Sequence, residues 1–307
     1  MSHSSADIVV VGSINADLTV TVPRHPNPGE TLLGNGGGLT AGGKGANQAC
    51  AAAKLGASVA LVGAVGDDAN AGPATSVLRA ADVDLSNVEE IEEVTGLAVI
   101  TVAADGENTV LVVPGANACV DAAFVRAHST PVEAAQLVLL QGEIPADGFA
   151  EAVALAAGRV VVNLAPVVDV PREALLQADP LLANEHEAGL ILAQLGADDT
   201  GEPETLAQRL LDVGFPSVVL TLGAAGALVA DANGLRPIPT PRVNAVDTVG
   251  AGDAFAGALC HRLVEGDSLD EAAAFAARVG AFAVQRPGAQ PSYPSAADEL
   301  PSCKSAE

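Results

Sequence analysis

Short apolar runs alternate along the chain with stretches whose apolar positions recur every three to four residues, and this rhythm predicts the elements. ADIVVVG (6–12) is a continuous apolar run ending in glycine, the pattern of a buried parallel strand. DLTVTV (17–22) alternates, which predicts a strand with one open face. Proline and glycine punctuate 23–43. From Gly45, ANQACAAAKLGA predicts a helix closed by Gly56, and SVALVGAVG (58–66) a buried strand. GDDANAGPATSVLRAA predicts another helix, and GLAVITVAADGENTVLVV (96–113) a β-hairpin turning at Asp105 and Gly106.

Strand and helix then take turns. AQLVLLQG and GRVVVNLAP predict strands, with a helix through 147–157 between them. DPLLAN (179–184) predicts a strand end, EHEAGLILAQLG and ETLAQRLLDVG helices, SVVLTLG a strand and GALVAD its hairpin partner. AGDAFAGALCHRLVEG and DEAAAFAARVGAFAVQ predict long apolar helices. The alternation predicts one α/β domain over residues 1–307, a three-layer, doubly wound, mostly parallel sheet with helices on both faces. The segments near 15–40 and 96–113 do not fit that scheme. They predict a small β-sheet standing off the core as a lid.

Composition narrows the function classes. A net charge of −24 repels nucleic-acid phosphates and anionic membranes, and with no Trp and one Tyr there is no base-stacking platform. The four cysteines (Cys50, Cys119, Cys260 and Cys303) show no paired spacing, and the five histidines show no zinc-ligand spacing. The start MSHSSADIVVVG lacks the basic and apolar regions of a secretory signal, and no apolar run reaches membrane-span length. A cytoplasmic protein with free thiols is expected.

Candidate chemistry begins at GGGLTAGGKGANQA (36–49). Gly38, four residues, then Gly43-Lys44 has the spacing of a phosphate loop, but Gly45 stands where that loop needs a magnesium-binding hydroxyl. The run before it also lacks a leading apolar strand. VDTVGAGDAFAGA (246–258) is the strongest candidate: a Gly-Ala-Gly turn opens into an apolar helix, so its first N–H groups and the helix dipole make an anion site. Two readings stand for Asp253 in the first turn. It complements the dipole, or it takes a proton from a hydroxyl while the N–H groups hold charge on a phosphate.

Weaker signals follow other strand ends. Asn15 and Asp17 in GSINADL lie where ligands bind in open α/β sheets, though an Asx-turn pair is the simpler account. Asn184 with Glu187 three residues on reads as a helix cap of the capping-box kind. Glu143 in LLQGEIP reads as a solvated loop acid, and TLGAAG (221–226) as a tight turn or a backbone cradle for a nucleotide. Gly12 opens no GxGxxG pattern, which argues against a nicotinamide enzyme.

Together GSINAD, GGKGANQA, GENTVLVVPGAN, QGEIP, ANEHE, TLGAAG, VDTVGAGDAFAGA and PGAQPS resemble the ribokinase-like family of carbohydrate kinases over nearly the whole chain. The resemblance implies ATP-dependent phosphorylation of ribose to ribose 5-phosphate. It makes Lys44 part of a sugar-gripping loop: Asn15, Asp17, Gly42, Gly43, Lys44, Asn47 and Glu143 would bind sugar hydroxyls. Asp253 would be the general base, with Gly250, Ala251 and Gly252 forming the anion hole with it. Asn184, Thr221, Gly223, Gly226 and Gly252 would border the nucleotide, and Glu187 would act through water near the Mg2+ that accompanies ATP. A monovalent cation, K+, would be held by Asp247, Val249, Ala283, Arg286, Gly288 and Ser292. The alternatives are the same chemistry on fructose, deoxyribose or a nucleoside such as adenosine, and a sugar-binding regulator without catalysis. The exposed lid strands imply a homodimer.

Overall fold

The computed structural model describes residues 6–303; the serine-rich start and Lys304 lie outside them. Thirteen strands occur among the described residues: β1 (Ile8–Val11), β2 (Asn15–Val22), β3 (Asn35–Gly42), β4 (Val59–Gly66), β5 (Asp84–Ile91), β6 (Gly96–Ala103), β7 (Asn108–Val113), β8 (Leu137–Gln141), β9 (Arg159–Asn163), β10 (Leu181–Asn184), β11 (Val218–Thr221), β12 (Ala227–Asp231) and β13 (Gly234–Ile238). Nine form one sheet in the order β13-β12-β11-β10-β9-β8-β1-β4-β5, and four form a second in the order β3-β2-β6-β7. The large sheet is parallel from β5 to β11, and only the β11-β12-β13 edge is antiparallel.

The unbroken apolar character of β1 has a direct cause. Ile8 and Val10 point into a core built with helices Lys44–Lys54, Ala71–Ala80, Ala251–Val264 and Leu269–Ala283. Val9 and Val11 point into the opposite core, built with helices Ala146–Leu155, Glu185–Gln194 and Pro203–Asp212. A strand covered on both faces has no polar side to alternate with. Gly56 closes the first helix as its pattern predicts, at φ 106° with its N–H on the Ala53 carbonyl at 2.9 Å. No helix among the described residues is long and apolar enough to cross a membrane.

The four-stranded sheet is the departure expected near 15–40 and 96–113. β2 runs parallel to β6, pairing Asp17 with Ala98, and antiparallel to β3, pairing Asp17 with Thr40. The run before Lys44 is therefore a strand after all. It is a glycine-rich one whose first six residues are exposed, not the buried strand that leads into a phosphate loop. Strands β5 and β13 and the short helices Ala122–Ala127 and Ser129–Ala134 also went unpredicted.

Candidate active site

The chain leaves the core sheet at Val11 and enters β2 at Asn15, so three residues separate the large sheet from the small one. Asn15 and Asp17 lie on that strand, which corrects the Asx-turn account. Asn15 is buried, and its side-chain oxygen accepts from Asn117 Nδ2 at 2.7 Å. Asp17 Oδ1 is buried with no partner. Burial, then the charges of Glu143 and Asp253, push the Asp17 carboxyl up to about 7.

Helix Lys44–Lys54 starts without a cap of its own, because Gly43 has no side chain. Distant residues supply the acceptors. Glu143 Oε2 accepts the N–H of Lys44 at 3.0 Å, and Ser13 Oγ accepts that of Gly45 at 3.3 Å while donating to Glu143. Glu143 is thus no solvated loop acid. Gly43 is required at φ 86°, where a Cβ would come within 2.7 Å of the Asn15 nitrogen. A Cβ on Gly42 would collide with the Asp17 carboxylate. The attraction of Asp253, then of Glu143 and Glu187, holds the Lys44 ammonium above its ordinary pKa against the cost of burial.

Asp253 sits in the first turn of helix Ala251–Val264, buried to 6% exposure. Both carboxylate oxygens are gripped from the Lys44–Lys54 helix: Asn47 Nδ2 donates to Oδ2 and Gln48 Nε2 to Oδ1, each at 2.9 Å. The turn before it is left-handed at Gly250, φ 72°, and Tyr293 OH donates to the Gly250 carbonyl at 3.0 Å. Ala251 N–H is engaged by Thr248 O at 3.2 Å, and the first helical bond runs from Ala254 N to Gly250 O. The N–H groups of Gly252 and Asp253 are left without an acceptor among the described residues. The anion hole expected at 250–253 therefore has two open donors, and a Cβ built on Gly252 meets nothing within 4 Å.

The next strand ends lie along the same edge. Asn184 ends β10 opposite Thr221 at the end of β11. Asn184 caps the following helix as its spacing predicts: Oδ1 accepts Glu187 N at 2.8 Å, and Glu187 Oε2 accepts Asn184 N at 2.9 Å. Gly223 opens a single 3-10 turn at φ 55°, and Gly226 closes it at φ 100°, so TLGAAG is a tight turn.

The residues expected around a monovalent cation come from the loop before Gly250 and from the end of helix Leu269–Ala283 with the segment after it, and Asp247 ties the two together. Its Oδ1 accepts Val249 N at 3.0 Å and its Oδ2 accepts Gly288 N at 2.8 Å. Arg286 N donates to Ala283 O at 3.2 Å, while the Arg286 guanidinium stacks 4.3 Å from the centre of the Phe282 ring. Ser292 is buried, its hydroxyl on Ala289 O. No group of three or more His, Cys, Asp or Glu fit to hold a metal occurs among the described residues. Backbone carbonyls with one carboxylate are an all-oxygen set, which suits a hard, weakly held cation.

Sequence reasoning missed the amides behind these residues. Gln48, Gln141 and Gln290, all buried, and half-buried Asn163 form a network around Asp253, and Tyr293 braces the Gly250 turn. Only Gln48 had a visible cue, as the neighbour of Asn47.

Comparison with known proteins shows the family to which this fold belongs. The profile of the pfkB family carbohydrate kinases matches residues 5–296. A ribokinase of Schizosaccharomyces pombe is 38% identical over 302 residues, covering 94% of this chain and 95% of that protein. The crystal structure of a ribokinase from Thermotoga maritima superposes with a TM-score of 0.89 at 32% identity, over 95% of this chain and 97% of that one. An Arabidopsis thaliana ribokinase complexed with ribose and ATP gives a TM-score of 0.87 at 33% identity, with the same coverage. With its architecture and nearly its whole length matched, the chain belongs to the pfkB family of carbohydrate kinases and is an ATP-dependent sugar kinase.

Proposed function

We propose that the chain phosphorylates ribose to ribose 5-phosphate with ATP. The observation carrying this reading is the convergence of Asp17, Lys44, Asn47 and Asp253 beside two unpartnered N–H groups. A pentose is a ring of hydroxyls, so it needs acceptors and donors at close quarters; Asn15, Asp17, Asn47 and Glu143 supply acceptors and Lys44 a donor. Asp253 takes the proton from the attacking sugar hydroxyl. The sugar oxygen then bonds to the terminal phosphorus as the bridging bond to ADP breaks. The N–H groups of Gly252 and Asp253 hold the charge on the transferring phosphate.

Asn184, Thr221, Gly223 and Gly226 border the nucleotide in this reading. Glu187, an acceptor with one oxygen outside its cap, would hold Mg2+ through water, and the metal would neutralise phosphate charge. Asp247, Val249, Ala283, Arg286, Gly288 and Ser292 would hold K+, mainly through carbonyl oxygens, and so fix the loop that leads into Gly250. The four-stranded sheet acts as the lid of one domain and excludes water, which would compete with the sugar as acceptor. The setting is the cytoplasm and the active form a homodimer joined through the lid strands.

Asp253→Asn is expected to lower turnover by at least a thousandfold while ribose still binds, as read by a coupled ADP assay and calorimetry. Near-normal turnover in that variant would remove the base assignment. Replacing K+ by tetramethylammonium is expected to lower kcat several-fold; equal rates in the two buffers would reject the cation site.

A further inference from the structure

Gln48 is wholly buried, touches Asp253 and has none of the roles given to its neighbours Lys44 and Asn47. Its amide is fully used. Nε2 donates to Asp253 Oδ1 at 2.9 Å and to Asn163 Oδ1 at 3.0 Å, and Oε1 accepts from Gln141 Nε2 at 2.8 Å. The orientation is forced from outside. Asn163 Nδ2 donates to the Leu182 carbonyl at 3.2 Å, so Asn163 presents its oxygen to Gln48. Flipping the Gln48 amide would set its oxygen against two acceptors and its nitrogen against the Gln141 donor.

A backbone carbonyl on β10 therefore dictates, through Asn163, that Gln48 meets Asp253 as a donor. A donor on Oδ1 fixes the direction in which the carboxylate points. Asn47 makes the matching bond to Oδ2, but its other partner is the loop residue Gln290, and its side chain is also assigned to the sugar. Gln48 is the contact with no second task.

We propose that Gln48, oriented by Asn163, is the positioning residue that holds the Asp253 carboxylate aimed for proton abstraction. The proposal rests on Asp253 being the base. It assigns to an amide that carries no sugar-binding role a share of kcat.

The test compares Gln48→Met, Gln48→Glu, Asn163→Ala and Asp253→Asn with the wild type. Readouts are kcat, the ribose KM and the thermal midpoint. Gln48→Met is expected to lower kcat about ten- to a hundredfold with the ribose KM within about twofold. Gln48→Glu removes the donor and sets a second carboxylate against Asp253, so kcat is expected to fall at least as far as in Gln48→Met, again with the ribose KM within about twofold. Asn163→Ala, which acts on Asp253 only through Gln48, is expected to lower kcat by a smaller factor and serves alone if the Gln48 variants do not fold. Lower thermal midpoints with unchanged kcat in the Gln48 variants overturn the proposal, as does an unaltered kcat in Asn163→Ala. Turnover surviving in Asp253→Asn instead overturns the base assignment beneath it.

Discussion

Asp17 sits where its negative charge is disfavoured. Its folded value of about 7 lies above the ordinary 3.8, because burial and two neighbouring carboxylates oppose ionisation. Below pH 4 it is protonated folded or unfolded and contributes nothing. As pH rises the unfolded chain ionises first, so stability is lost between about pH 4 and 7 and stays lost above. Asp17→Asn is therefore expected to raise the thermal midpoint of the sugar-free protein at pH 8 on the order of 5 °C, with little change at pH 4. The same change is expected to weaken ribose binding more than tenfold. Calorimetric scans at the two pH values decide it: an equal shift at both, or a lower midpoint at pH 8, would refute the electrostatic account. His261 behaves in the opposite sense. Burial holds its pKa down, so its share of stability is lost as pH falls below about 6.5.

At the scale of elements, the site depends on how closely two helices approach. Gly257 lies on the face of helix Ala251–Val264 that meets helix Lys44–Lys54, and a Cβ there would come 2.5 Å from the Gln48 carbonyl and 2.7 Å from Ala51 Cβ. The carboxylate of Asp253 and the amides of Asn47 and Gln48 are held in register by that contact. Gly257→Val is expected to push the helices apart, lowering kcat at least tenfold and destabilising the fold by about 2–3 kcal/mol. Loss of stability alone, with full turnover by the folded enzyme, would show that the spacing does not set the site. Which elements were legible follows from their surroundings. Strands β1, β4 and β8, covered on both faces, read as continuous apolar runs, and both helices of this pair read from their apolar spacing. β3 is NGGGLTAG and β5 is DLSNVEEI; the first has almost no side chains to pattern, and the second carries three acids on a sheet edge. β13 holds Pro237 at the other edge, where a missing N–H does no harm. The amide network was illegible for another reason: Gln48 and Asp253 are 205 positions apart, and no local pattern encodes a glutamine's distant partner.

Over the whole molecule, 38 acidic residues against 14 basic ones keep most faces mutually repulsive. The small sheet is the exception. All six residues of β7 are exposed, Leu111 to 71%, and Leu39 on β3 is open as well. An uncovered apolar edge strand of this length invites a second copy. Light scattering at micromolar concentration is expected to give twice the 30.4 kDa chain mass, and Leu111→Glu to give the single mass. A wild-type protein that stays monomeric would remove the dimer from the account.

The three-residue passage from β1 into β2 has one more consequence. Asn15 and Asp17 stand at the root of the sheet assigned to cover the substrate, hydrogen-bonded in register with β6 and β3. Choice of acceptor and opening of the cover are thus written into the same few peptide units. Under the proposed assignment, selection for a new pentose at these positions would change the residence time of the product as well, so the two traits would evolve together.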